Sequence, residues 1–168
     1  MPLLPLPPGT AEIHDAGHGL VFGQIRIIRA GFDQMAYSLG KEFGWWLTRE
    51  GSGERYVVRT LTREGPFALE LPQGHYRVTG VIYDEGAGVW EGRVPASFTV
   101  EAGAHTYLGV WQIEFAFEGQ SGKATARVVN DFERVRSAEL VSQIPLRIAL
   151  LDSAKEGYFS LVELRIGM

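Results

Sequence analysis

Along most of the chain apolar and polar residues alternate with a period of two, in runs bounded by Gly, Pro, Asp and Asn. That is the pattern of strands burying one face. Leu20 to Ile28 puts Val21, Ile25 and Ile27 on one face and Gln24 and Arg26 on the other. Tyr56, Val58 and Thr60 oppose Val57, Arg59 and Leu61. Phe67, Leu69 and Leu71 alternate with Ala68 and Glu70, and Pro72-Gln73-Gly74 then turns the chain. Tyr76, Val78 and Ile82 predict one face of the next strand, and Phe98 and Val100 the inward face of another. After the turn at Glu101 to Ala104, Tyr107, Trp111, Ile113, Phe115 and Phe117 predict a long core face, opposite Thr106, Gln112, Glu114 and Glu118. Further strands follow at Ala124 to Val129, Leu146 to Leu151 and Tyr158 to Ile166.

Two segments depart from this pattern. From Asp131 to Ile144, Phe132, Val135, Ala138, Val141 and Ile144 recur every third position, predicting one helix with a capping-box-like Asn130 and Glu133 at its start and Pro145 as a stop. Its polar face carries Glu133, Arg134 and Arg136, readable as a partner-docking surface or as the solvated outside of a helix covering a sheet edge. Between Gln34 and Glu50 the alternation of Met35, Tyr37 and Leu39 and then of Phe43, Trp45 and Leu47 fits two short strands or an aromatic loop. About eight or nine strands at roughly 8–12-residue spacing predict a mainly β fold, an antiparallel β-sandwich of the prealbumin-like or Ig-like kind, with one helix near the C-terminal end. Residues 1–18, with Pro2, Pro5, Pro7 and Pro8, form a proline-rich arm or linker. Residues 19–168 form a single sandwich domain that includes the helix at 131–144.

Composition narrows the function classes. The 168 residues carry 16 basic and 20 acidic side chains, a net charge of −4, and the basic residues are scattered, so a phosphate-tracking nucleic-acid surface has no footprint. Charged residues interrupt every apolar segment, so no transmembrane helix is predicted. The absence of cysteine excludes disulfides, thiol catalysis and zinc–cysteine sites. No cofactor motif is present. The first residues lack the basic start and unbroken apolar run of a secretory signal, which leaves a cytoplasmic protein or one whose leader, with any lipidated cysteine, is replaced by an initiating Met.

Leu71-Pro72-Gln73-Gly74-His75-Tyr76-Arg77-Val78 resembles the L-P-x-G-x-Y-x-V strand-turn-strand signature of transthyretin-like, carboxypeptidase-regulatory-like and related prealbumin-type domains. Phe98-Thr99-Val100-Glu101-Ala102-Gly103, followed by Tyr107-Leu108-Gly109, is similar to the run that follows it in bacterial envelope lipoproteins of this type. The resemblance spans about residues 19–135 and implies a β-sandwich, a secreted or lipid-anchored protein of the periplasm or outer envelope surface, and no catalytic residues to carry over.

Three groups of residues are candidates for chemistry. His14, Asp15 and His18 supply two imidazoles and a carboxylate within five positions, enough ligand types for a transition metal, or simply a polar loop leading into the first strand. Trp45, Trp46 and Trp90, with Tyr37 and Tyr83, suggest an aromatic platform for sugars or peptides. In a strand Trp45 and Trp46 point to opposite faces, so one is buried and the other is more exposed. Asp84, Glu85 and Glu91 flank a glycine-rich hairpin, which invites paired-carboxylate or calcium readings but equally describes solvated charge. His75 and His105 each follow a turn and read as surface residues.

Together these features predict a noncatalytic accessory or binding module of the bacterial cell envelope, with a protein or glycan partner met by loops and exposed aromatics. Two alternatives stand beside it. One is a small hydrolase or metal-binding protein using His14, His18 or Glu85, and the other is a structural subunit that self-associates through edge strands or the Trp45-Trp46 region.

Overall fold

The computed structural model describes residues 2–3, 12–29, 42–60, 64–84, 88–118, 121–133 and 146–164. Among the described residues thirteen strands are formed: β1 (Pro2–Leu3), β2 (His18–Arg29), β3 (Glu42–Arg49), β4 (Arg55–Thr60), β5 (Glu64–Pro72), β6 (Gly74–Asp84), β7 (Gly88–Arg93), β8 (Ala96–Val100), β9 (His105–Glu118), β10 (Ser121–Val129), β11 (Leu146–Ile148), β12 (Asp152–Ser153) and β13 (Glu156–Leu164). They join one sheet in the order β1-β4-β3-β6-β7-β13-β10-β9-β2-β5, with β8, β11 and β12 attached off this path. The sheet curls into a half-barrel.

The chain is mainly β, as its alternation predicts, but the arrangement differs from the expected antiparallel sandwich. One continuous sheet is formed and it is mixed: β2 and β11 both pair with β9 in parallel, and β1 pairs with β4 in parallel. Alternation reports that a strand buries one face; it carries no information about the direction of its neighbour or about whether the opposing wall belongs to the same sheet. Of the helix expected at 131–144, residues 134–144 lie outside the described residues. Phe132 and Glu133 have helical backbone, and the Asn130 side-chain oxygen accepts the Phe132 N–H at 3.0 Å, as an N-cap does. In the expected N-terminal arm, Pro2 and Leu3 lie beside Val57 and Val58 of β4.

Two long strands organise the sheet, and each changes partner along its length. The first part of β6 pairs with β8 and its last part with β7, while β3 runs along its other side. In the same way the start of β9 pairs with β11 and the rest with β10, while β2 follows its other side.

Both strands also switch faces. The β2–β9 register slips where Phe22 faces Tyr107 and Gln24 faces Val110, and Gly109 there has φ +91°, a conformation in which a side chain is strained. Leu108 before the slip and Trp111, Ile113 and Phe115 after it all enter the core. Tyr107, expected on the face of Trp111, is turned to the opposite side, where its ring packs on Phe22 at 5.5 Å and on Phe132 at 5.6 Å. In β6 the pairs Leu47–Val78 and Trp46–Gly80 leave Thr79 as an extra residue. Tyr76 and Val78 before it and Val81 and Tyr83 after it point inward, so Ile82, expected beside Tyr76 and Val78, points outward with Gly44 across from it.

The inner face is filled by aromatic rings. Trp45 packs edge-on against Phe67 at 5.0 Å and beside Trp111 at 5.9 Å, Phe115 meets Phe159 at 4.0 Å, and Tyr76 stacks on Phe98 at 5.5 Å. The Trp111 indole donates to Ser153 Oγ at 3.0 Å. The Trp45 Nε1 is buried and meets no acceptor among the described residues.

Candidate functional site

The adjacent tryptophans divide between the two faces of β3. Trp45 is 1% exposed and belongs to the core, whereas Trp46 is half-buried on the outer face. Trp90, expected in an exposed platform, is 4% exposed instead, because it lies on the inward parity of β7 directly opposite the inward Tyr83. Tyr37 lies outside the described residues. Of the three tryptophans expected in a platform, Trp46 is the one on the outer surface.

The register supplies Trp46 with an aromatic companion. Trp46 pairs with Gly80, Val81 with Gly92, and Arg93 with Tyr158, so Trp46, Gly80, Arg93 and Tyr158 form one row across β3, β6, β7 and β13. The next row is Gly44, Ile82, Glu91 and Ser160. The indole lies over Gly80, where an added Cβ would stand 2.7 Å from the six-membered ring. The extra residue Thr79 donates its hydroxyl to the Trp46 carbonyl at 3.3 Å. At the other end of the row Tyr158 is 55% exposed, with Val162 53% exposed beside it. Glu91 and Arg93 stand between the rings, both exposed, and Lys123 of β10 lies next to Tyr158. Trp46, Thr79, Glu91, Arg93, Tyr158 and Val162 bound a shallow hollow of about 360 Å³, and Trp46 also walls a second hollow of about 410 Å³ with Thr48 and Arg55. Three inter-strand steps separate the two aromatic positions, roughly 14 Å. The face therefore presents two ring planes at its ends and hydrogen-bonding charge between them.

The histidine segment forms a separate cluster at the start of β2. The His18 N–H donates to the Asp15 carbonyl at 3.2 Å across a turn whose third residue, Gly17, has φ +80°. This turn brings Asp15 Oδ2 to 3.8 Å from His18 Nδ1. Glu70 of β5 completes the group: it lies opposite Leu20 in the β2–β5 register, diagonal to His18. One Glu70 oxygen is 3.2 Å from His18 Nδ1; the other accepts the His14 N–H at 2.7 Å and lies 3.3 Å from His14 Nδ1. Burial of this carboxylate works to raise its pKa, but hydrogen bonds from the His14 backbone, the two imidazoles and the Asp15 backbone hold it below the usual range. One ligand atom each from Asp15, His18 and Glu70 fall within 4.8 Å of one another, with His14 flanking that triplet.

The other candidates are dispersed. His75 Nδ1 pairs with the Thr99 hydroxyl at 2.8 Å on the β6–β8 ladder, and His105 opens β9. Asp84 ends β6 and Glu91 lies in β7, and among the described residues they join no third ligand; Glu85 lies outside those residues. Tyr158, Arg93 and Glu70 join the aromatic row and the histidine cluster without standing out in the sequence. The alternation of Tyr158 with Phe159 does mark opposite faces, but Glu70 is separated from His18 by 52 positions and only the strand register unites them.

No protein family matches this chain, and no curated protein or solved structure matches it.

Proposed function

We propose that this chain is a noncatalytic binding module that holds an oligosaccharide across the outer face of β3, β6, β7 and β13. The observation carrying this reading is the row Trp46, Gly80, Arg93 and Tyr158, which sets the half-buried Trp46 ring and the exposed Tyr158 ring at the ends of a polar strip. Sugar rings offer an apolar face for stacking and a rim of hydroxyls. Trp46 and Tyr158 match the first, and Glu91, Arg93, Thr79 and Ser160 match the second. The separation of the rings suits a short chain of sugars better than one ring. A glycan role also accords with the envelope location implied by the prealbumin-like resemblance, which is part of the same proposal. Fractionation of cells expressing the native gene, with the intact mass of the product, tests that location.

The binding test is affinity electrophoresis and calorimetry against a panel of soluble oligosaccharides and envelope polysaccharides. We expect at least one to bind, and Trp46→Ala and Tyr158→Ala each to weaken it tenfold or more while circular dichroism stays unchanged. Binding by both variants at wild-type strength, or no binding to the panel, overturns the reading. Concentration-dependent self-association lost in the same variants would assign the face to a second copy of the chain instead.

A further inference from the structure

We infer that Asp15, His18 and Glu70 form a site for a divalent transition-metal ion of the zinc class, with His14 as its adjoining fourth ligand. The inference is independent of the glycan face. Zinc bound by imidazole nitrogen and carboxylate oxygen at about 2.0–2.2 Å sets neighbouring ligand atoms roughly 3.4 Å apart in a tetrahedron. In the fold the corresponding separations are 3.2 Å from Glu70 to His18 and 3.8 Å from Asp15 to His18, and the whole triplet fits within 4.8 Å. Small side-chain rotations close that set around one ion.

The ligand atoms are also held in place before any ion arrives. The turn with Gly17 at its third position brings the Asp15 carboxylate to 3.8 Å from His18 Nδ1. The β2–β5 register fixes Glu70 against His18. The His14 N–H holds one Glu70 oxygen and leaves the other facing the His18 ring, the kind of outer contact that orients a ligating carboxylate. His14 Nδ1 lies 3.3 Å from the held oxygen on an exposed side chain, so this imidazole adjoins the triplet. Two carboxylates balance the charge of a dication, and imidazole nitrogen favours zinc, cobalt or nickel over calcium or magnesium, which prefer oxygen alone.

The test uses the full chain without a histidine tag. Zn²⁺ is titrated in competition with a chromophoric chelator, and Co²⁺ is titrated with its visible absorption as the reporter. We expect one equivalent to bind, a rise in melting temperature with Zn²⁺, and little response to Ca²⁺. His18→Ala and Glu70→Gln should each weaken Zn²⁺ binding tenfold or more, while His75→Ala, a surface histidine on another strand pair, binds as the wild type does. Because Glu70 also anchors the loop, Asp15→Asn serves as a second ligand variant that leaves this anchor intact. The His18 ring resonances of the wild type should shift on addition of Zn²⁺. Absence of stoichiometric binding, or wild-type affinity in His18→Ala and Asp15→Asn, overturns the inference, as does equal loss in His75→Ala.

Discussion

Tyr56 shows how a single side chain ties this fold to pH. Its hydroxyl donates to Glu54 Oε2 at 2.7 Å, next to Arg49, which contacts the other Glu54 oxygen at 3.2 Å. Burial, helped by the Glu54 carboxylate, pushes the Tyr56 hydroxyl up to about 12 from 10.0, and the hydrogen bond from Tyr56, with Arg49, holds Glu54 below the usual 4.5. The folded state keeps the phenolic proton over a range in which the unfolded chain releases it. The Tyr56 contribution is therefore complete below pH 10 and is lost as pH rises from 10 toward 12. The Glu54 contribution is present above pH 4.5 and declines as pH falls through the lowered folded value. Urea midpoints measured across pH should be flat in between and fall at both ends, and Tyr56→Phe should flatten both flanks. The alkaline flank will not vanish, because burial raises Tyr76 as well. A variant whose profile matches the wild type would remove Tyr56 and Glu54 from the account.

At the level of elements, the two face switches decide how much of the fold can be read from the sequence. The strands around Val21, Phe67, Tyr76, Phe98 and Trp111 were all legible, because one buried face leaves its mark on alternation. The inward sets on β6 and β9 were only half legible. An extra residue at Thr79 and the slip at Gly109 each reverse the parity without interrupting the apolar pattern. The same limit hid the candidate sites. Trp46 could be assigned to a face opposite Trp45, but its row with Tyr158 depends on three strand pairings, and the placement of Glu70 beside His18 depends on another. Gly109→Ala tests the switch in β9. At φ +91° a Cβ would also meet Val128 at 2.8 Å and the Val129 carbonyl at 3.0 Å. Gly103 shares a positive φ, +73°, but opens onto free space. We expect Gly103→Ala to cost about 1 kcal/mol from backbone strain alone and Gly109→Ala to cost clearly more, about 2–3 kcal/mol, by urea unfolding. Equal losses would mean that the slip is not held by packing.

For the whole molecule, the parallel pairing of β2 with β9 sets an order in time. Leu20 must find His105, and Arg29 must find Phe115, across about half the chain, whereas β5 reaches β2 over a much shorter span. Closing the longer loop costs more entropy, and folds dominated by such contacts are slow. On the ribosome, β2 and β5 therefore emerge first and can pair, leaving one side of β2 as an unsatisfied edge until β9 is made. A chain released after residue 104 should aggregate, while one released after β10 should remain more soluble, as read by sedimentation of arrested or truncated products; equal solubility of the two would argue against this order. The parallel strand near the β5 end of the sheet thus acts as a timer on synthesis: until β9 leaves the exit tunnel, the nascent protein carries an open docking edge that chaperones must shield.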